Sequence, residues 1–135
     1  MDLLKSLLIS ASGMRAQSVR MRVISENLAN ANSVAPNAKE DPYRRKVVSF
    51  ENEMDNQLGV DLLKVDKIEE DQSKFESKYD PGHPAADKNG YVKMPNVNPF
   101  VEMMDMRQAQ RSYEANLSMI QTAKAMLSKT VEILR

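Results

Sequence analysis

The chain has 135 residues, 19 Lys and Arg balanced by 19 Asp and Glu, one His, and neither Cys nor Trp. That length suits one domain or one assembly module. A net charge of zero, with no basic run interleaved with aromatics, gives no pull toward nucleic acid or an anionic membrane, and the missing cysteine removes disulfides, thiol catalysis and Cys-based zinc sites together. Hydrophobic residues make up 41% but aromatics only 5%, with ten Met. Compact cores lean on aromatics, whereas Met and Ala suit helix seams that must pack in more than one setting.

The first element runs from Asp2 to about Ala31, without proline and with one glycine, Gly13. Leu7, Met14, Met21 and Leu28 are spaced by seven, and Ala11, Ile24 and Ala31 fall on the same face at offsets of three or four. Coiled-coil spacing of this kind predicts a helix with an apolar seam. At ~1.5 Å per residue it would be about 45 Å long, too long to bury against a small core. Its opening "LLKSLLISASGM" is broken by Lys5, Ser6 and Ser10, with Arg15 following, which argues against a cleavable signal peptide. No run approaches the ~20 apolar residues of a membrane helix. Asn-rich "NLANANSVAPNAKEDP", with Pro36 and Pro42, marks the helix end.

The middle, residues 33–98, mixes β-branched and aromatic residues with charge in "YRRKVVSFE", "GVDLLKVDKIEED" and "SKFESKY". Short strands or extended arms are predicted, with one face apolar at best, forming hairpins that lean on the helices or on neighbours. Asn89-Gly90 reads as a type I′ hairpin turn. "YDPGHPAADKNGYVKMPNVNPF" holds four of the six prolines and the single His, a stiff connector into the next element.

The last element starts at 99. Asn98 can cap it, Pro99 suits its first turn, and Glu102 lies near the positive helix end. Met106, Tyr113, Ile120, Leu127 and Leu134 recur at seven, with Ala109, Asn116, Ala123 and Thr130 three residues on. The expected fold is therefore mainly α. Two long terminal helices, 1–32 and 99–135, pack as a coiled coil, and 33–98 forms an extended, β-hairpin middle.

Little in the sequence points to catalysis. Asp80, His83 and Asp87 could ligate a metal, but Asp, Gly, Pro and Asn are turn formers and His83 sits between Gly82 and Pro84. "DKNG" fails as a calcium loop, because Ala85 would stand at the first ligand position. No GxSxG or phosphate-cradling glycine loop exists. Met103, Met104 and Met106 read as seam plus one exposed residue. Arg44 and Arg45 in "DPYRRK" are either a solvated strand start or partners for carboxylates across an interface. No enzyme, cofactor or metal site is expected. Two seamed helices and a thin middle would leave a monomer with too much exposed apolar surface, which implies an assembly subunit. A soluble helical adaptor or chaperone using the same seams, and a metal enzyme centred on His83, stay open on these grounds.

"NLANANS", followed by "PYRRKVVSF", resembles the signature of bacterial flagellar axial proteins, the rod and hook subunits. "YDPGHPAADKNGYVKMPNVNPFVEMMDMRQAQRSYEAN" resembles in particular the proximal rod subunits of that family, and "ANLSMIQTAKAMLSKTVEIL" its C-terminal helix. The resemblance covers essentially the whole chain. It departs at Ser33, where the family often has Thr, and at Pro42-Tyr43, where it has Gly-Tyr. It implies a structural subunit of the periplasmic drive shaft, exported through the flagellar type III apparatus without a cleaved signal. The terminal helices would line a central channel as coiled-coil layers. Implied partners are further copies of the chain, other rod proteins, membrane-ring or adaptor components and the export apparatus. The assembly seam would be the two heptad series above, and Tyr43, Arg44, Arg45, Tyr79, Pro81 and Tyr91 are the candidate contacts to neighbouring subunits.

Overall fold

The computed structural model describes residues 3–134. Helix α1 spans Leu3–Ala29, strands β1 and β2 span Lys46–Asp55 and Val60–Glu70, strands β3 and β4 span Glu76–Tyr79 and Tyr91–Met94, and helix α2 spans Pro99–Ile133. β1 pairs with β2, and β3 with β4. Four residues separate β1 from β2, too few for a parallel crossover, so they form a hairpin. β3 and β4 are antiparallel, with Glu76 opposite Met94 and Tyr79 opposite Tyr91. The expected helix-dominated chain with a hairpin middle is present.

The helix ends follow from local chemistry. At the end of α1 the Asn30 side chain donates to the Glu26 carbonyl at 2.8 Å, and Ser33 Oγ donates to Asn30 Oδ1 at 3.1 Å. A hydroxyl is what position 33 supplies here, and Thr would supply it equally. At the start of α2, Asn98 Oδ1 accepts from the backbone N–H of Phe100 at 3.0 Å, the N-cap expected from Asn98-Pro99.

The chain divides into two compact units. One gathers the described parts of residues 1–21, 49–67 and 106–135, the other residues 22–48 and 68–105. In the first unit the deepest positions are small: Ser10, Gly13 and Ala16 on α1, and Ala109 and Ala123 on α2. A Cβ built on Gly13 would stand 2.8 Å from Asn116 Nδ2, so the two helices approach closely at the one position of α1 that has no side chain. The heptad residues flank this line. Leu7, Met14, Met21, Met106, Tyr113 and Ile120 are half-buried, while Leu127 and Leu134 are exposed. Small residues let helix axes come together, which moves the line of closest contact onto them and pushes long side chains to its edges.

In the second unit Val23, Ile24, Ala31, Ala35, Ala85 and Val92 are buried. Leu28, the remaining heptad residue of α1, is half-buried. The loop between β3 and β4 departs from the type I′ expectation. Only Gly90 takes positive φ, at 82°, and Asn89 does not. Asp87 Oδ1 accepts from the N–H groups of Asn89 at 2.8 Å and Tyr91 at 3.0 Å, and Gly90 N donates to Asp87 O at 3.0 Å. The carboxylate organises the turn and leaves glycine the single left-handed position, the geometry of a longer hairpin loop.

Candidate functional site

The second unit contains a buried polar cluster at the point where its strands and helices meet. Its centre is Asn27, 1% exposed, in the last turns of α1. Asn27 follows Ile24 and precedes Ala31 on the buried face, where an apolar residue would be the default. Its amide uses its full capacity. Nδ2 donates to the Lys46 carbonyl at 2.8 Å and to Glu102 Oε2 at 3.1 Å. Oδ1 accepts from the Lys46 N–H and from the Tyr43 hydroxyl, both at 2.9 Å. Two donors and two lone pairs are all an Asn side chain offers.

Glu102, in the first turn of α2, is 0% exposed. Its second oxygen accepts from Arg45 Nε. The same guanidinium lies 3.5 Å from Asp71 and 3.6 Å from Asp105. Burial works to lower the Arg45 pKa, but the Glu102 hydrogen bond and charge, with Asp71 and Asp105, outweigh it and raise the value, so Arg45 is fixed as a cation. Asp71 is held below its usual value, first by the Ser73 backbone N–H, against burial, and with help from Arg45. Burial raises the Tyr43 hydroxyl, Lys46 opposes, and Glu26, Glu102 and Glu70 add to the rise, so Tyr43 stays protonated and donates.

The backbone is tied by the same groups. Arg45 N donates to Asn96 Oδ1 at 2.8 Å, Asp71 N donates to Arg45 O at 2.8 Å, and Asn96 Nδ2 donates to Asp71 O at 2.9 Å. Arg44 donates to the carbonyls of Asp71 and Ser73 at 3.1 and 3.3 Å, and its guanidinium lies 4.2 Å over the Phe75 ring. Lys46 Nζ reaches Glu26 at 3.1 Å. Chemically this is a clamp. A buried acid and a partly exposed base are bonded to each other and to the surrounding backbone and carboxylates.

The six candidate contact residues separate into two sets. Tyr43, Arg44 and Arg45 are bound into the clamp, and the carboxylate partners of Arg45 belong to its own chain. Tyr79, Pro81 and Tyr91 are exposed together at the base of the β3–β4 loop, with the two tyrosine rings edge to face at 5.3 Å. The His83 ring accepts from the Ala85 N–H through Nδ1 at 3.0 Å, as a turn residue does. Among the described residues no group of three His, Asp or Glu side chains gathers to hold a metal. Glu102 and Asn27 are the functional residues that pattern reading passed over. Asn27 on the apolar line was the available signal.

The chain matches known proteins along its length. Residues 7–39 match the family model for flagella basal body rod protein, and residues 88–133 match that for the C-terminal part of the flagellar basal body rod FlgEFG proteins. Flagellar basal-body rod protein FlgC of Agrobacterium fabrum is 50% identical over 127 residues, 94% of this chain and 91% of that protein. Its counterparts in Salmonella typhimurium and Bacillus subtilis are 42% and 41% identical, covering 98% and 95% of this chain and the same shares of their own. The resemblance seen in the motifs thus extends over both helices and the middle, and the chain belongs to the FlgC family of flagellar basal-body rod proteins, structural subunits of the rod.

Proposed function

We propose that this chain builds the proximal part of the rod, the shaft that crosses the periplasm, and that its terminal helices pack as a coiled coil around the export channel. The observation that carries this reading is the surface of α2. Ala109 and Ala123 are buried, while Met119, Met126, Leu127 and Val131 are exposed, and Ile133 and Leu134 remain 85% and 82% exposed. A stripe of that extent on a single chain calls for neighbours. Those neighbours are further copies, other rod proteins and membrane-ring components, reached after passage through the type III export apparatus. The exposed Tyr79, Pro81 and Tyr91 offer the middle segment a rigid contact surface at low entropic cost. The relatives speak for this role over a soluble adaptor or chaperone.

The test is assembly in a strain whose only copy carries a seam substitution. Ile120 is half-buried mid-seam. Ile120→Asp places a carboxylate among apolar groups at a cost of several kcal/mol per copy, and every copy in an array repeats it. Rods should be absent from purified basal bodies by electron microscopy, motility lost and export of the chain retained. Exposed Lys124→Asp should be mild. Normal rods with Ile120→Asp and failed rods with Lys124→Asp would assign the seam to the wrong face.

A further inference from the structure

The zero net charge conceals a separation of sign between elements. In the first unit the hairpin stretch 49–67 carries five acidic residues against two lysines, while residues 106–134 of α2 carry four basic residues against two acids. Two pairs stand out. Glu51 and Glu53 are both exposed and lie two residues apart on β1, hence on one face about 7 Å apart. Arg107 and Arg111 are both exposed on α2, one turn and about 6 Å apart. Among the described residues the side chains of Glu51, Arg107 and Arg111 make no hydrogen bond or salt bridge, although Glu51 lies near enough to Lys64 to act on its charge. Glu53 is paired with Lys64 at 3.1 Å, but both side chains are more than half exposed, a surface pair readily exchanged.

We propose that the Glu51/Glu53 face of the β1–β2 hairpin docks onto Arg107 and Arg111 of a second copy of this chain. The inference rests on the rod reading, which supplies repeated copies. Spacing and chemistry match. Two carboxylates at strand spacing face two guanidinium forks at helix spacing, the geometry in which Arg binds carboxylate through paired N–H groups. Each copy carries both halves on different elements, so the contact can repeat head-to-tail from copy to copy, and the rod reading selects that repeating arrangement over a closed twofold pair. A partner of another kind would need only one of the two halves.

Charge exchange tests it. The variants are Glu51→Arg with Glu53→Arg, Arg107→Glu with Arg111→Glu, and all four substitutions together, each checked as folded by circular dichroism. Association of the purified chain, followed by sedimentation, should weaken at least tenfold in each two-site variant and in the parent when salt rises from about 50 to 500 mM. It should return in the four-site variant and when the two two-site variants are mixed, because each then offers the other a complementary surface. Basal-body incorporation in the cell should follow the same order. Recovery in the four-site variant without recovery on mixing would place the pairing within one chain and overturn the proposal. Folded two-site variants that associate like the parent would also overturn it, as would a four-site variant that fails to recover. If instead the parent chain is missing from purified basal bodies, the rod reading fails first, and that outcome is read independently of the variants.

Discussion

Asn27→Asp isolates the clamp without opening a cavity, because the two side chains have nearly the same shape. The substitution keeps the acceptor for Lys46 N and the Tyr43 hydroxyl and deletes the two donors that serve the Lys46 carbonyl at 2.8 Å and Glu102 Oε2 at 3.1 Å. Two charged carboxylates at that separation repel by about 5 kcal/mol at an effective dielectric near 20. The alternative is to keep one of them protonated. At pH 7.5, against an ordinary carboxylate value near 4, that costs about 4–5 kcal/mol, falling by ~1.4 kcal/mol for each pH unit toward acid. The proton would restore one lost hydrogen bond, and the other is lost for about 1 kcal/mol. The expected loss is therefore ~5 kcal/mol at pH 7.5 and ~2 kcal/mol at pH 5, against a typical domain stability of about 5–15 kcal/mol. The sign is that of a carboxyl whose folded-state pKa lies above its unfolded value: the penalty is absent below the unfolded value and grows as pH rises toward the folded one. Denaturant unfolding of parent and variant at the two pH values, read by far-ultraviolet circular dichroism, measures both quantities. A loss under about 1 kcal/mol at pH 7.5, or equal losses at both pH values, would refute the view that Asn27 serves a buried carboxylate as a hydrogen-bond donor.

Gly13→Ala puts a methyl 2.8 Å from Asn116 Nδ2 and should lower stability by about 1–3 kcal/mol despite the better helix propensity of Ala; denaturant unfolding should show most of that recovered when Asn116→Ala is added. Gly90→Ala combines a φ of 82° with a new contact 3.0 Å from the Tyr79 ring, and should cost about 1–3 kcal/mol and raise amide exchange through the β3–β4 loop. Asp71 has a lowered pKa, so its contribution is complete above the ordinary carboxylate value and is lost as pH falls through its own; in Asp71→Asn the acid limb of a stability–pH profile should be shallower than in the parent.

The two helices were legible because their signals are local. Heptad spacing, the Asn98-Pro99 start and the Asn-rich stop each act within a few residues, and α1 and α2 begin and end close to where these signals put them. The positions of β1, β2 and β3 were legible for the same reason, whereas β4, Tyr91–Met94, lies in the stretch read as a stiff connector. The Asn89-Gly90 turn misled because the dipeptide is a sound signal for a two-residue loop, and nothing local reveals that Asp87 captures the N–H groups of Asn89 and Tyr91 first. The clamp was not legible at all as a clamp. Asn27 finds partners 16, 19 and 75 residues away, and Glu102 has the sequence context of an ordinary helix-start acid, complementing the helix dipole from the surface.

Glu102 shows why that surface reading is incomplete. An acid that only answered the dipole could stay hydrated, with little energetic consequence. Here the same position is sealed from water and bonded to Arg45 and Asn27, so the Glu102 carboxylate loses a buried partner if either of them is missing. Such a group contributes less to net stability than a well-packed apolar one would, because desolvation offsets much of the attraction. It does penalise wrong arrangements severely, since any packing of this unit that separates Arg45 from Glu102 leaves a buried charge alone. For a subunit whose helices carry interchangeable Met, Leu and Ala along their seams, apolar burial alone discriminates poorly between registers. The clamp supplies the discrimination, fixing the start of α2 against the end of α1 within the second unit before any neighbour is engaged.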